Sequence, residues 1–233
     1  MTILSVVKDV CATIGVTVPQ SMFSNITGNR TMQEMLALAN EAAQAIAYDK
    51  RDWTTLKTTV TYTGDGVTSA YNLPANYKRM LLTSNVWSSN STQAPMTFVP
   101  DLDEWLIRRV DGWNTAHGEW TMYGGQIHFW PVLGSGETAF FAYLDKNCVA
   151  LSGGGYGNAF LSDTDGFRLD ERILKLCMIW KWKAQKGAAY AEDMSNYEDA
   201  VAVEQGHDSP SPIIVGRLPI SASVRASYPL ATP

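Results

Sequence analysis

Residues able to do chemistry are few in this chain, and their spacing assembles no familiar reaction centre. The histidines, His117, His128 and His207, stand apart, with no Cys, Asp or His at metal-ligand spacing. The glycine run at 153–157 lacks the Lys-Ser/Thr ending of a phosphate loop. Ser152, Ser162 and Ser195 sit in no nucleophile-elbow pattern. Asp101, Asp103 and Glu104 open a short helix, where acids are expected as caps. Asp163 and Asp165 beside Gly166 resemble part of a calcium loop, but further ligands are missing at the required spacing, so a solvated turn is expected. Lys181, Lys183 and Lys186, continued loosely by Lys175 and Arg172, would suit phosphates; their place late in a helix favours a solvated face. Trp105, Trp113, Trp120 and Trp130 would suit sugar stacking, yet Trp120 and Trp130 fall in facing strands, where a cross-strand core pair is expected. The expectation is a non-enzymatic protein without metal or cofactor.

Composition points the same way. The formal net charge is −5, which argues against a protein whose task is to grip phosphates. Charged residues are only 18%, while eight tryptophans and ten tyrosines are present. Interfaces favour aromatics and exclude Lys and Glu, so part of this surface is expected under partners; a large aromatic core is the alternative. Cys11, Cys148 and Cys177 show no paired spacing and read as buried free thiols in a reducing compartment. The first residues lack the basic start and cleavage site of a signal peptide, and no apolar run is long enough to cross a bilayer.

The elements that must position these side chains centre on residues 167–205. That stretch reads as two helices broken near Gly187, with Asp170 as N-cap and Glu171 in the first turn. Ile173, Leu176, Cys177, Trp180 and Ala184 recur at helical spacing and form the expected inner stripe; Leu174, Met178, Ile179 and Trp182 lie off it and need a second neighbour. The following helix carries Tyr190, Met194, Tyr197 and Val201 on one face. Near the start, Ile3 to Ile14 reads as a helix ended by Gly15, and Thr31 with Glu34 as a capping box opening a second helix to about Lys50. Strands are expected at 56–63, 68–73, 80–88, 96–99, 119–123, 126–130 and 138–144, with a short helix at 102–110. Gly124-Gly125 marks the clearest hairpin. The order predicts an α+β fold: a helical bundle from residues 1–54 and 167–206, an inserted antiparallel β-domain over 55–166, and an extended tail over 207–233.

Three segments, TMQEMLALANEAAQAIAYDKRDW (31–53), YNLPANYKRM (71–80) and RLDERILKLCMIWKWKAQKGAAYAEDMSNYEDA (168–200), carry a resemblance. They resemble the head-to-tail adaptor, or connector, proteins of tailed bacteriophages. The resemblance implies a structural virion protein of the neck, assembled in the host bacterial cytoplasm. It implies a ring, usually of about twelve copies, beneath the portal protein and above a tail or nozzle protein. Viral DNA would pass through the channel without sequence-specific binding, and no membrane would be involved. An acidic wall would suit such a channel. Within a ring, the alternating charges Arg168, Asp170, Glu171 and Arg172, together with Trp182, are expected at the subunit interface. Ile213, Ile214, Val215, Leu218, Ile220, Val224, Tyr228 and Leu230 enrich a tail whose prolines deny it a helix. That tail is expected to lie extended along the portal, with a neighbouring adaptor subunit as the alternative partner. The competing function is a glycan-binding or hydrolytic module using Trp113, Trp120 and Trp130.

Overall fold

The computed structural model describes residues 1–24, 28–91 and 93–208. Helix α1 (Ile3–Ile14) begins at Thr2, whose side chain accepts from the Ser5 amide, and ends at Gly15 with φ 74°. Helix α2 (Arg30–Asp49) is capped by Asn29, which accepts from the Met32 amide at 3.3 Å. The expected capping box is therefore wrong by one motif: Thr31 lies inside the helix, and the Glu34 carboxylate instead meets Arg30 and Lys186. Helices α4 (Glu171–Gln185) and α5 (Ala191–Asp208) come from the other end of the chain. The last helix runs to Asp208, so His207 opens no tail. Asp208 accepts from the Thr54 amide at 3.1 Å, which fastens the end of α5 to the corner after α2.

Helix α4 packs against α1, α2 and α5, and this decides which of its faces is inside. Ile173, Leu174, Cys177, Met178, Ile179 and Trp182 are buried, while Leu176 and Trp180 are half-buried. The expected order of the two tryptophans is thus reversed. Trp182 faces the core, and Trp180 lies toward α5, its ring 6.4 Å from Tyr190 and 6.1 Å from Tyr197. With three neighbours no single stripe governs burial, so a helical spacing fixed the face only to within one turn. The helical core also takes in Leu56, Leu144, Cys148, Val149, Phe160 and Phe167 from outside the helices.

Among the described residues, the middle of the chain forms three sheets. Strand β1 (Lys57–Thr63) pairs antiparallel with β8 (Thr138–Asp145), which also receives β3 (Tyr77–Met80) and β4 (Trp87–Ser88). In the second sheet, β2 (Ala70–Asn72) pairs with β7 (Gln126–Trp130), β7 with β6 (Glu119–Tyr123), and β6 with β5 (Thr97–Phe98). The last pair is parallel, so the region is mixed rather than purely antiparallel. The third sheet is small: β9 (Val149–Ala150) lies between β10 (Tyr156–Gly157) and β11 (Gly166–Phe167). The single strand expected at 80–88 is instead two strands around a turn, because the Ser84 amide bonds back to Leu81 and its hydroxyl accepts from the Ala142 amide.

The two larger sheets share a second buried cluster that includes Trp120, Ile127 and Phe129 from one and Ala139, Phe141 and Tyr143 from the other. Gly124 (φ 59°) and Gly125 (φ 76°) make the hairpin between β6 and β7, as their left-handed backbone requires. That two-residue turn sets Tyr123 opposite Gln126, so Trp120 meets Phe129 and Trp130 meets Glu119. The expected Trp120–Trp130 core pair does not form. Helix α3 (Leu102–Asp111) connects β5 to this hairpin and sends only Trp105 into the interior. Gly64 is needed for close approach: a Cβ there would lie 2.4 Å from the Gly134 carbonyl oxygen.

Candidate assembly surfaces

The charges at the start of α4 are mostly engaged inside the subunit. Arg168 Nη1 donates to Asp145 at 3.0 Å and to the Asn147 carbonyl at 2.6 Å, and Nη2 donates to the Thr55 carbonyl at 2.9 Å. Its guanidinium also stacks 4.0 Å from the Tyr156 ring centroid. This arginine joins the end of β8, the corner before β1 and the start of α4. Asp170 caps α4 by accepting from the Ile173 amide at 3.0 Å, and Glu171 holds the Met1 amine at 2.8 Å. Trp182 is 8% exposed, under the Lys186 ammonium. Arg172 alone of the five expected interface residues is exposed. It lines a shallow cleft of about 290 Å³ with Val6, Asp9 and Lys175.

The lysines of α4 reach acids on its neighbours. Lys175 pairs with Asp9 of α1 at 3.2 Å, Lys181 with Glu41 of α2 at 2.6 Å, Lys186 with Glu34 of α2 at 2.7 Å and Lys183 with Asp193 of α5 at 2.6 Å. Hydrogen bonds from Lys186 and then Arg30 hold the Glu34 carboxyl below the usual range. Each pair is weak at an exposed site, but together they complete the helix contacts and neutralise the basic row.

Helix α3 presents the opposite situation. Leu102, Leu106, Ile107 and Val110 are all exposed, Ile107 at 61% and Val110 at 86%. They lie at spacings of three and four, so the apolar side of this helix faces out. Ile107 and Trp113 line an open groove of about 470 Å³ whose other walls are Asp101, Asp103, Glu104, Asp111 and Arg108. Arg108 is fully engaged: it donates to Glu104 at 3.0 Å and to buried Glu119 at 2.5 Å, and it stacks 4.4 Å from the Trp113 ring. The groove is therefore lined by two exposed apolar side chains and four carboxylates around an engaged arginine. A signal for it was present in the sequence, as an apolar i, i+4 row at Leu102, Leu106 and Val110 beside unburied acids, but nothing there said which side faced the sheet.

Residues 1–216 match the family described as SU10 adaptor protein. The chain belongs to that family. It is a family of phage head-to-tail adaptors, so this protein is a structural component of a bacteriophage virion, associated with portal and tail proteins. No curated protein matches the chain.

In this adaptor, the aromatic β-region builds no sugar platform from the expected trio. Trp120 is buried against Phe98, with ring centroids 4.6 Å apart, while the Trp130 indole donates to the Trp113 carbonyl at 3.2 Å and Arg109 stacks on its ring. A polar cavity of about 270 Å³ lies nearby, lined by Ser88, Ser91, His117 and Glu137 among others. Sequence reasoning missed it, because its walls come from three separated loops. Ser91 Oγ lies 2.5 Å from His117 Nδ1 and 3.1 Å from the Ala94 carbonyl oxygen. The hydroxyl has one proton, and the carbonyl can only accept, so donation to Ala94 leaves the imidazole as the donor. In that arrangement the imidazole does not act as a base toward Ser91. Glu137 meets Ser88 and the Gly134 amide instead.

Asp165 is the polar residue the sequence most misplaced. It is 1% exposed, not a solvated turn. Its carboxylate accepts from the amides of Ser152 at 2.9 Å, Leu161 at 2.7 Å and Ser162 at 2.8 Å. Burial works to raise its pKa, and the three amides outweigh burial and lower it. The carbonyls of Asp163 and Asp165 accept from the first free amides of α1, those of Leu4 and Ile3. Among the described residues no group of three or more His, Cys, Asp or Glu is placed to hold a metal ion, and no helix is long and apolar enough to cross a membrane. The expected partner-binding residues from Ile213 to Leu230 lie outside the described residues.

Proposed function

We propose that this adaptor assembles into a closed ring, of about twelve copies by family resemblance, beneath the portal, joins capsid to tail, and lets the genome leave through its central channel at ejection. The observation that carries this reading is the family match across residues 1–216. The acidic balance supports a channel that conducts DNA without binding its sequence, since a wall rich in free lysine would retain phosphates. The ion-paired lysines of α4 support it further. In this reading Arg172 meets a neighbouring subunit, and Trp182, buried within its own chain, is left out of the interface. The segment from Ile213 to Leu230 is the extension by which each copy holds a partner, and assembly takes place in the host cytoplasm.

The test is direct. The purified chain is mixed with the portal protein of its own phage and imaged by electron microscopy. A ring seated on the portal with a continuous central hole is expected. A chain that stays monomeric and elutes apart from the portal at every concentration refutes the reading.

A further inference from the structure

Helix α3 has its apolar side outward, and the charge around it restricts what can cover it. Proteins rarely leave a large contiguous apolar patch uncovered, because apolar area removed from water is stabilising. Here the exposed Leu106, Ile107 and Val110 adjoin a groove rimmed by Asp101, Asp103, Glu104 and Asp111. Arg108, the cation in that rim, is already shared between Glu104 and Glu119. A fitting occupant supplies apolar side chains and positive charge, and carries no carboxylates.

One stretch of this chain has that composition. All 23 Asp and Glu residues precede Ser209. Residues 209–233 hold Arg217 and Arg225, no acid, and the apolar run Ile213, Ile214, Val215, Leu218 and Ile220. The rest of the chain is acidic, so the general surface of a second copy would meet the α3 rim with like charge. The segment begins just after Asp208, which is fixed beside Thr54. Fully extended, the stretch from Asp208 to Ile220 reaches about 40 Å, comparable to the roughly 45 Å breadth of a domain this size. It can therefore cross to an adjoining subunit.

We infer that the α3 groove seats residues 213–220 of a neighbouring copy, with the Ile and Leu side chains over Ile107 and Val110 and Arg217 among the rim carboxylates. This rests on the ring reading, since a head-to-tail ring offers every tail the next copy's groove. It makes the next adaptor subunit, rather than the portal, the partner of this part of the tail. Each subunit would then be strapped to the next by a contact outside the helical bundle, so the ring would hold even where bundle contacts shift.

The experiment uses the full-length chain with a benzophenone amino acid in place of Leu218. Isotopically light and heavy copies are mixed, assembled on the portal and irradiated, and the crosslinks are mapped by mass spectrometry. Light-to-heavy crosslinks into residues 102–113 are expected. Their yield should fall by about tenfold or more in Ile107→Glu, the change expected on losing one buried isoleucine contact. Asp111→Lys should lower it too, with that loss growing less marked at high salt. Rings whose Leu218 crosslinks go to the portal, to any other segment, or only within one copy overturn the inference and leave the adaptor reading intact. Unchanged α3 crosslinks in both variants also overturn it. If no ring forms on the portal, the ring reading fails and the inference with it.

Discussion

Replacing Asp165 tests how the two ends of the chain are joined. Its carboxylate accepts three backbone amides at 2.7–2.9 Å while 1% exposed, and its own carbonyl accepts the first amide of α1. Asp165→Ala leaves all three amides without their acceptor. A buried amide stranded in this way costs about 1–3 kcal/mol, and water entering the space left by the carboxylate recovers part of it. The expected loss is about 4 kcal/mol, or roughly 8–16 °C in melting temperature for a chain of this size. Asp165→Asn keeps one oxygen, which can hold Leu161 and Ser162, but turns an NH2 toward the Ser152 amide. The Ser152 amide is then stranded opposite a second donor, so about 2–3 kcal/mol is expected. The wild-type contribution also has a pH signature. The folded carboxyl titrates below its unfolded value, so its stabilisation is complete above about pH 4 and is lost as the pH falls through the folded pKa. Thermal melts followed by circular dichroism at pH 7 and at steps down to pH 3 measure both effects. An Ala variant that melts within about 2 °C of wild type, or an Asn variant less stable than Ala, refutes the reasoning.

Three further outcomes are expected. Trp182→Ala should cost about 3–5 kcal/mol, and half-buried Trp180→Ala clearly less; equal or reversed losses in thermal melts would show that α4 is turned differently. All three thiols are buried, and burial pushes Cys177 up to about 11 and raises Cys11 and Cys148 as well. A thiol reagent at pH 8 should therefore find no fast-reacting group in the native chain and three after unfolding, and one rapid native thiol contradicts the burial. Reversing exposed Arg172 to Glu should impair assembly into the neck while leaving the melting temperature of the subunit unchanged; normal incorporation into virions counts against its place at the interface.

Local chemistry made much of this protein legible from its sequence. Asp170 and Asp101 cap helices because a short carboxylate fits the free amides of a first turn, whatever packs around it. Gly124-Gly125 forces its hairpin because only such residues adopt that backbone without strain. The division into helices from both chain ends with strands between them followed from periodicity, and the adaptor resemblance followed from segments whose residues are set by those helices. The match over residues 1–216 bears that resemblance out.

Tertiary structure decided what depends on neighbours distant in the chain. Whether Trp180 or Trp182 is inside follows from three helices meeting α4, a fact no spacing within α4 contains. Thr31 and Asn29 are both chemically able to cap α2, and the choice fell to Asn29, with Glu34 turned toward Lys186, 152 residues away. Asp165 reads as a solvated turn until residues 151–162 fold over it and bring their amides to its carboxylate. The outward face of α3 was hidden for the same reason: amphipathic spacing says that a helix has an apolar side, and only the packed sheet shows that this side points away from it.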